Sequence, residues 1–191
     1  MKLNLIASTL VLSSTLFAGH AMASDGTVHF RGEIIDSSCE VTADTKEQNV
    51  DLGKVNRYAF NGVGDTAAPT NFEINLQKCP ATYTKAAVDF DGTDASDSDG
   101  DLAIGNPATT ATPGDYTGAD TAVTATGVAI RIYNRGDNSQ VMLHKQSAQT
   151  DIDTVAGTAS MKFVARYVAT NAAVTPGTAN ADSQFTIVYA K

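Results

Sequence analysis

The chain is short of positive charge. Lys and Arg number 13 against 21 Asp and Glu in 191 residues, a formal net charge of −8. No basic cluster offsets the excess, so nucleic acid and anionic lipid are repelled and neither is an expected partner. Cysteine is scarce: only Cys39 and Cys79 occur, with no C-x-x-C. Histidine is limited to His20, His29 and His144. So few soft or imidazole ligands argue against a metal or redox site, and no cofactor is expected. Beyond the first two dozen residues there is no apolar run long enough to span a bilayer. Strong helical periodicity is also missing.

The start of the chain is set apart. Met1-Lys2 is a short positive opening, followed by the apolar run "LNLIASTLVLSSTLFA" and the small residues Ala21 and Ala23. This pattern predicts a secretory signal over residues 1–23, cleaved after Ala23. The mature chain then begins at Ser24, loses Lys2, and becomes one charge more negative. In an exported chain an even pair of cysteines reads as a disulfide, with two separately buried thiols as the alternative. A Cys39–Cys79 bond would close a loop of about 40 residues, worth ~4 kcal/mol by the chain-entropy estimate.

What the mature chain does contain is alternation. "NFEINLQKC" (71–79) sets Phe72, Ile74 and Leu76 against Asn, Glu and Gln. The same period of two runs through 27–35, 86–92, 127–134, 159–170 and 183–191, with shorter candidates at 39–43, 49–53 and 140–144. Turn-forming stretches such as "NGVGD", "SDSDGD", "NRGDNS" and "TPGTANAD" separate them. Residues 58–66 have room for one short turn. The stretch 93–126, small, polar and acidic, reads as surface loop. The expected fold is an all-β sandwich of one domain.

Candidate chemistry is sparse. A triad needs a histidine held by an acid, and neither His29 nor His144 lies in a recognisable nucleophile context. "DFDGTDASDSDGD" (89–101) has a faint likeness to a calcium loop. With Gly100 sixth, however, the first position is Ala95 and the twelfth Asn106, so a solvated acidic loop is the better reading. Arg135-Gly136-Asp137 matches a cell-adhesion triplet, but it is also ordinary turn chemistry between two strands.

The termini carry more information. Phe185, Ile187 and Tyr189 share one face of the last strand. A final strand with no strand after it leaves an edge that needs cover. The opening segment alternates too, with Gly26, Val28, Phe30, Gly32 and Ile34 on one face. It is a candidate cover, supplied by a neighbouring molecule as an added strand. Pairing of both terminal strands inside their own domain is the alternative, and spacing alone leaves the two open.

At these residues the chain resembles the type 1 fimbrial pilins of the chaperone–usher pathway in Gram-negative bacteria. "GTVHFRGEIIDSSCEV" is similar to that family's N-terminal extension, first strand and first cysteine. "VDLGKV", "FEINLQKC", "FVARYVAT" and "PGTANADSQFTIVYAK" follow in the family's order. The resemblance implies an incomplete immunoglobulin-like β-sandwich of six strands, residues 36–191. Residues 24–35 form an extension that serves as the missing strand of the next subunit. Gly26, Val28, Phe30, Gly32 and Ile34 would fill successive groove pockets, with Gly32 at a shallow one. Phe185, Ile187 and Tyr189, with Gly177 12 residues before Tyr189, would mark the groove-edge strand that a chaperone also binds. Lys191 adds one residue after the family's usual end.

The function implied is that of a structural subunit of an adhesive fimbrium on the cell surface. Its partners would be identical or related subunits, a periplasmic chaperone and an outer-membrane usher. It would not be an enzyme. The alternatives are a minor adaptor subunit and an adhesin-like module that binds a host receptor.

Overall fold

The structure is a computed structural model that describes residues 27–32, 34, 38–105 and 124–191. The expected leader, Gly26 and residues 106–123 lie outside the described residues. The chain divides into two units, residues 1–35 and 36–191. In the first, Thr27–Gly32 join no helix or ladder.

The second unit is built from strands β1 (Glu40–Val41), β2 (Thr66–Gln77), β3 (Lys85–Asp91), β4 (Leu102–Ala103), β5 (Val128–Asn134), β6 (Gln140–Val141), β7 (Thr150–Asp151), β8 (Ala159–Ala169) and β9 (Gln184–Ala190). A helix α1 (Ala43–Lys46) and a 3-10 turn (Arg57–Ala59) interrupt the run between β1 and β2. One sheet has the order β1-β2-β8-β5-β4, with β6 also on β5; the other has the order β7-β3-β9. Every pairing of named strands is antiparallel.

The alternation read in the sequence is what divides the faces. On β8, Met161, Phe163, Ala165 and Tyr167 enter the core with Ile74 and Leu76 of β2 and Ile130 and Ile132 of β5. Ala86, Val88 and Phe90 of β3 meet them from the other sheet. This is a sandwich closed by interdigitated inner faces. Phe163 meets Phe90 of the other sheet edge-on at 5.2 Å between ring centres, and packs tilted against Phe72 of its own sheet at 5.3 Å.

The Cys39–Cys79 disulfide is present, with the two Cα atoms 4.1 Å apart. It fastens the start of β1 to the end of β2, where Glu40 pairs with Gln77 and Val41 with Leu76.

The structure corrects several sequence expectations. Residues 49–53 form no strand, although Val50 and Leu52 still pack on the core. β4 and β7 and helix α1 were not expected. The acidic stretch is also not simply solvated loop. Asp101 is 1% exposed, and Ala95 joins Ala129 and Val168 in a small second cluster.

Candidate functional site

The edge of β9 defines the site. β9 pairs with β3 along its length, Lys85 with Ala190 through Asp91 with Gln184. It has no ladder partner on its other side among the described residues. β2 stands at the corresponding border of the facing sheet. Only its last two residues are covered by β1, leaving Thr66–Asn75 without a paired strand on that side among the described residues. Phe72 of β2 and Phe185 of β9 both reach Phe90, at 6.1 and 6.4 Å between ring centres. The two bare borders therefore face each other over one aromatic floor.

The rim is apolar and only half covered. Phe72, Phe185, Ile187 and Tyr189 pack against the core while remaining partly exposed. So do Val41 of β1 and Val50, Leu52, Val55 and Phe60 from the irregular segment after it. Sequence reasoning found the β9 residues by their alternation. It did not assign the 50–60 residues to a wall: Val50 and Leu52 alternate and read as a short strand of their own, and the residues after them carry no period. Side-chain bonds hold the segment in place: Gln48 Nε2 donates to Glu73 O at 3.1 Å, and Thr70 Oγ1 to Asp51 O at 3.3 Å.

Tyr189 ties β9 to the disulfide end of the sandwich. Its ring stacks on Tyr83 at 5.1 Å, and its hydroxyl donates to Cys39 O at 3.4 Å. Burial pushes the Tyr189 phenol above its ordinary range, while bonds to Ser38 and Cys39 pull the other way. Gly177 is separated from the other three edge residues. It lies in an exposed bend before β9, between the bridges Thr126–Thr175 and Thr124–Thr178.

The opening segment presents its apolar face to solvent. Val28 is 75% exposed, Phe30 93% and Ile34 99%. A Cβ added to Gly32 would meet nothing within 4 Å. Exposed apolar side chains at every second position need a partner surface.

His144 lies between Asp91 and Asp94, its two ring nitrogens each 3.4 Å from a carboxylate oxygen. Among the described residues no group of three or more His, Cys, Asp or Glu is placed to hold a metal. Asp137 of the Arg-Gly-Asp turn accepts from Ser139 N–H at 3.0 Å and from its hydroxyl at 2.7 Å. That turn is held by its own carboxylate, whose pKa these bonds lower. Asp101 anchors the acidic loop. Arg131 donates to it twice at 2.7 Å, Gln140 Nε2 once at 3.0 Å, and Ser98 Oγ once more.

Residues 28–190 match the family described as "Fimbrial protein". A fimbrial-like protein of Escherichia coli K12 is 36% identical, covering 99% of this chain and 99% of its own length. The type-1 fimbrial protein A chain of Salmonella typhi is 36% identical over 99% of this chain and all of its own. A solved Burkholderia pseudomallei antigen and type I fimbria protein is 30% identical, with a TM-score of 0.55 over 81% of this chain and 91% of its own. The P pilus rod subunit shares the fold, with a TM-score of 0.60 over 81% of this chain and all of its own at 18% identity. Matched along nearly its whole length, and carrying the half-covered edge described above, the chain belongs to the fimbrial protein family.

Proposed function

We propose that the chain is a structural subunit of a fimbrium and polymerises head to tail by strand donation. Residues 24–35 of one copy lie along the bare edge of β9 in the next, with Gly26, Val28, Phe30, Gly32 and Ile34 turned into the apolar seam. This is β-augmentation, of which strand complementation between pilins is an established instance. The observation that carries the reading is the seam itself: two unpaired strand borders over an aromatic floor, rimmed by half-buried apolar side chains.

The physics favours a long-lived joint. Each of Val28, Phe30 and Ile34 gains about 1.5–3 kcal/mol when moved from water into the seam. The main chain gains ladder bonds that both partners otherwise give to water. The contact is heterologous and does not close on itself, so it generates a filament. Before assembly the same edge needs temporary cover, the role of a periplasmic chaperone. An outer-membrane usher is the place of exchange, and the product stands on the cell surface of a Gram-negative bacterium.

Gly32→Leu tests the joint. In the chain itself the added side chain has open space, so the subunit folds and reaches the periplasm. In the joint it meets the seam floor, and extra bulk in a packed site is resisted. The expected result is normal periplasmic subunit with few or no surface filaments by electron microscopy. Filaments at the parental yield would refute the pocket assignment.

A further inference from the structure

The turn before β2 carries a chemistry that the seam does not use. Asn61 is the only asparagine in the chain that is followed by glycine. The backbone nitrogen of the following residue can attack an asparagine side chain, and a glycine there has no Cβ to obstruct the approach. A bond forms from Gly62 N to Asn61 Cγ and closes a five-membered succinimide. The Asn61 Cγ–Nδ2 bond breaks, and ammonia leaves with the proton that Gly62 N gives up. Water then opens the ring at either carbonyl, leaving aspartate or isoaspartate. No electrons are exchanged, and water is the only co-reactant.

The surroundings leave room for this reaction. Asn61 is exposed, and a Cβ built on Gly62 would meet nothing within 4 Å. The chain turns tightly here, with Asp65 N–H donating to Gly62 O at 3.2 Å. The far side of the turn is fastened to the end of β8. Gly64 N–H donates to Ala169 O at 2.8 Å, and Ala169 N–H to Asp65 O at 2.9 Å.

The nucleophile itself is held. Asp65 folds its carboxylate back over the turn, where Oδ2 accepts from Asn61 N–H at 2.7 Å and from Gly62 N–H at 3.0 Å. A backbone N–H bonded to a charged acceptor is among the stronger hydrogen bonds of a protein. Gly62 N must leave that bond before it can swing toward Asn61 Cγ.

We propose that Asn61 is a site of spontaneous deamidation and that Asp65 is its guard, so that the turn converts slowly while the chain is folded. The product has a new carboxylate at position 61, within reach of Asp65, and two like charges so close repel. Isoaspartate also adds a methylene to the main chain. Both changes loosen the turn beside Phe60, which packs on the core at the seam wall. Neither the site nor its guard depends on strand donation.

The test incubates the purified full-length mature protein in mildly alkaline buffer and follows the Asn61 peptide by mass spectrometry, with isoaspartate separated by chromatography. The parental chain should convert slowly when folded and much faster when unfolded in urea. Asp65→Ala, confirmed as folded by circular dichroism, should convert several-fold faster than the folded parent. Asp65→Asn keeps an acceptor oxygen and should stay near the parental rate. Gly62→Ala, for which the turn has space, should suppress conversion throughout. A folded parental chain that never converts, while its unfolded form does, would overturn the site. Equal rates in the parent and Asp65→Ala, or in Asp65→Asn and Asp65→Ala, would overturn the guard.

Discussion

At the scale of single residues, Asp101 is a carboxylate buried outside the seam. A buried carboxylate is tolerable only when its charge is met, and Arg131 meets it through two parallel bonds at 2.7 Å. The same contact holds the Arg131 pKa above its ordinary range, with burial opposing. Asp101→Ala would leave Arg131 beside an empty, partly buried socket. Breaking such a pair costs ~3–5 kcal/mol. The expected outcome is a several-degree fall in the midpoint of thermal unfolding, read by circular dichroism. A fall under one degree would show that the loop is held by other contacts. The sequence hid this residue because six acids within 89–101 look alike, and nothing local says which one turns inward. The deciding partner, Arg131, is 30 residues away.

Tyr189 gives a pH prediction. Its folded-state pKa is raised, chiefly by burial. Such a phenol contributes stability while it is neutral in both states. That contribution is complete below the unfolded value, near 10, and is lost as pH rises through it toward the folded value. Unfolding midpoints should therefore decline above about pH 10, and Tyr189→Phe should flatten the decline. Tyr167, also raised by burial, would retain its own share. Identical pH profiles for the two proteins would remove Tyr189 from the account.

At the scale of elements, the disulfide does for β1 what ladder bonds cannot. β1 has two residues, and its flanking Glu40–Lys78 pair is exposed on both sides. Exposed pairs contribute at most about 1 kcal/mol. The bond across a separation of 40 residues is worth ~4 kcal/mol on the chain-entropy estimate. A Cys39→Ala/Cys79→Ala double variant should lose stability of that order in urea unfolding, a large part of a typical domain's total. An unchanged midpoint would mean that the 39–79 loop is already constrained by the strands around it.

The long strands were legible because one face of each is buried, and burial writes a period of two into the sequence. β2 is the instructive exception. Its alternation is visible only from Asn71, yet it begins at Thr66. Pro69 breaks the pattern, since proline is normally kept out of strand interiors. The structure accommodates it with a bulge between Ala67 and Thr70, where Ala68 takes φ 55°. Two-residue strands such as β4 and β7 carry no period and cannot be read at all. The seam was legible from β9 alone. Its second wall, Val50 to Phe60, is defined by packing between segments distant in sequence.

At the scale of the whole molecule, each subunit carries its own excess of negative charge into the filament. Like-charged subunits repel over roughly 10 Å at 0.1 M salt, which disfavours assembly. In the proposed joint the opposing contact is mainly apolar and main-chain, which salt screens little. A free peptide of residues 24–35 tests the joint alone, because it can fill the seam without bringing a second subunit. Added to purified subunit lacking those residues, it should raise the unfolding midpoint as any ligand of the native state does. The rise should persist in 1 M salt and vanish for a peptide carrying Gly32→Leu. Stabilisation that disappears with salt would mean that charge, and not the apolar edge of β9, holds the donated strand.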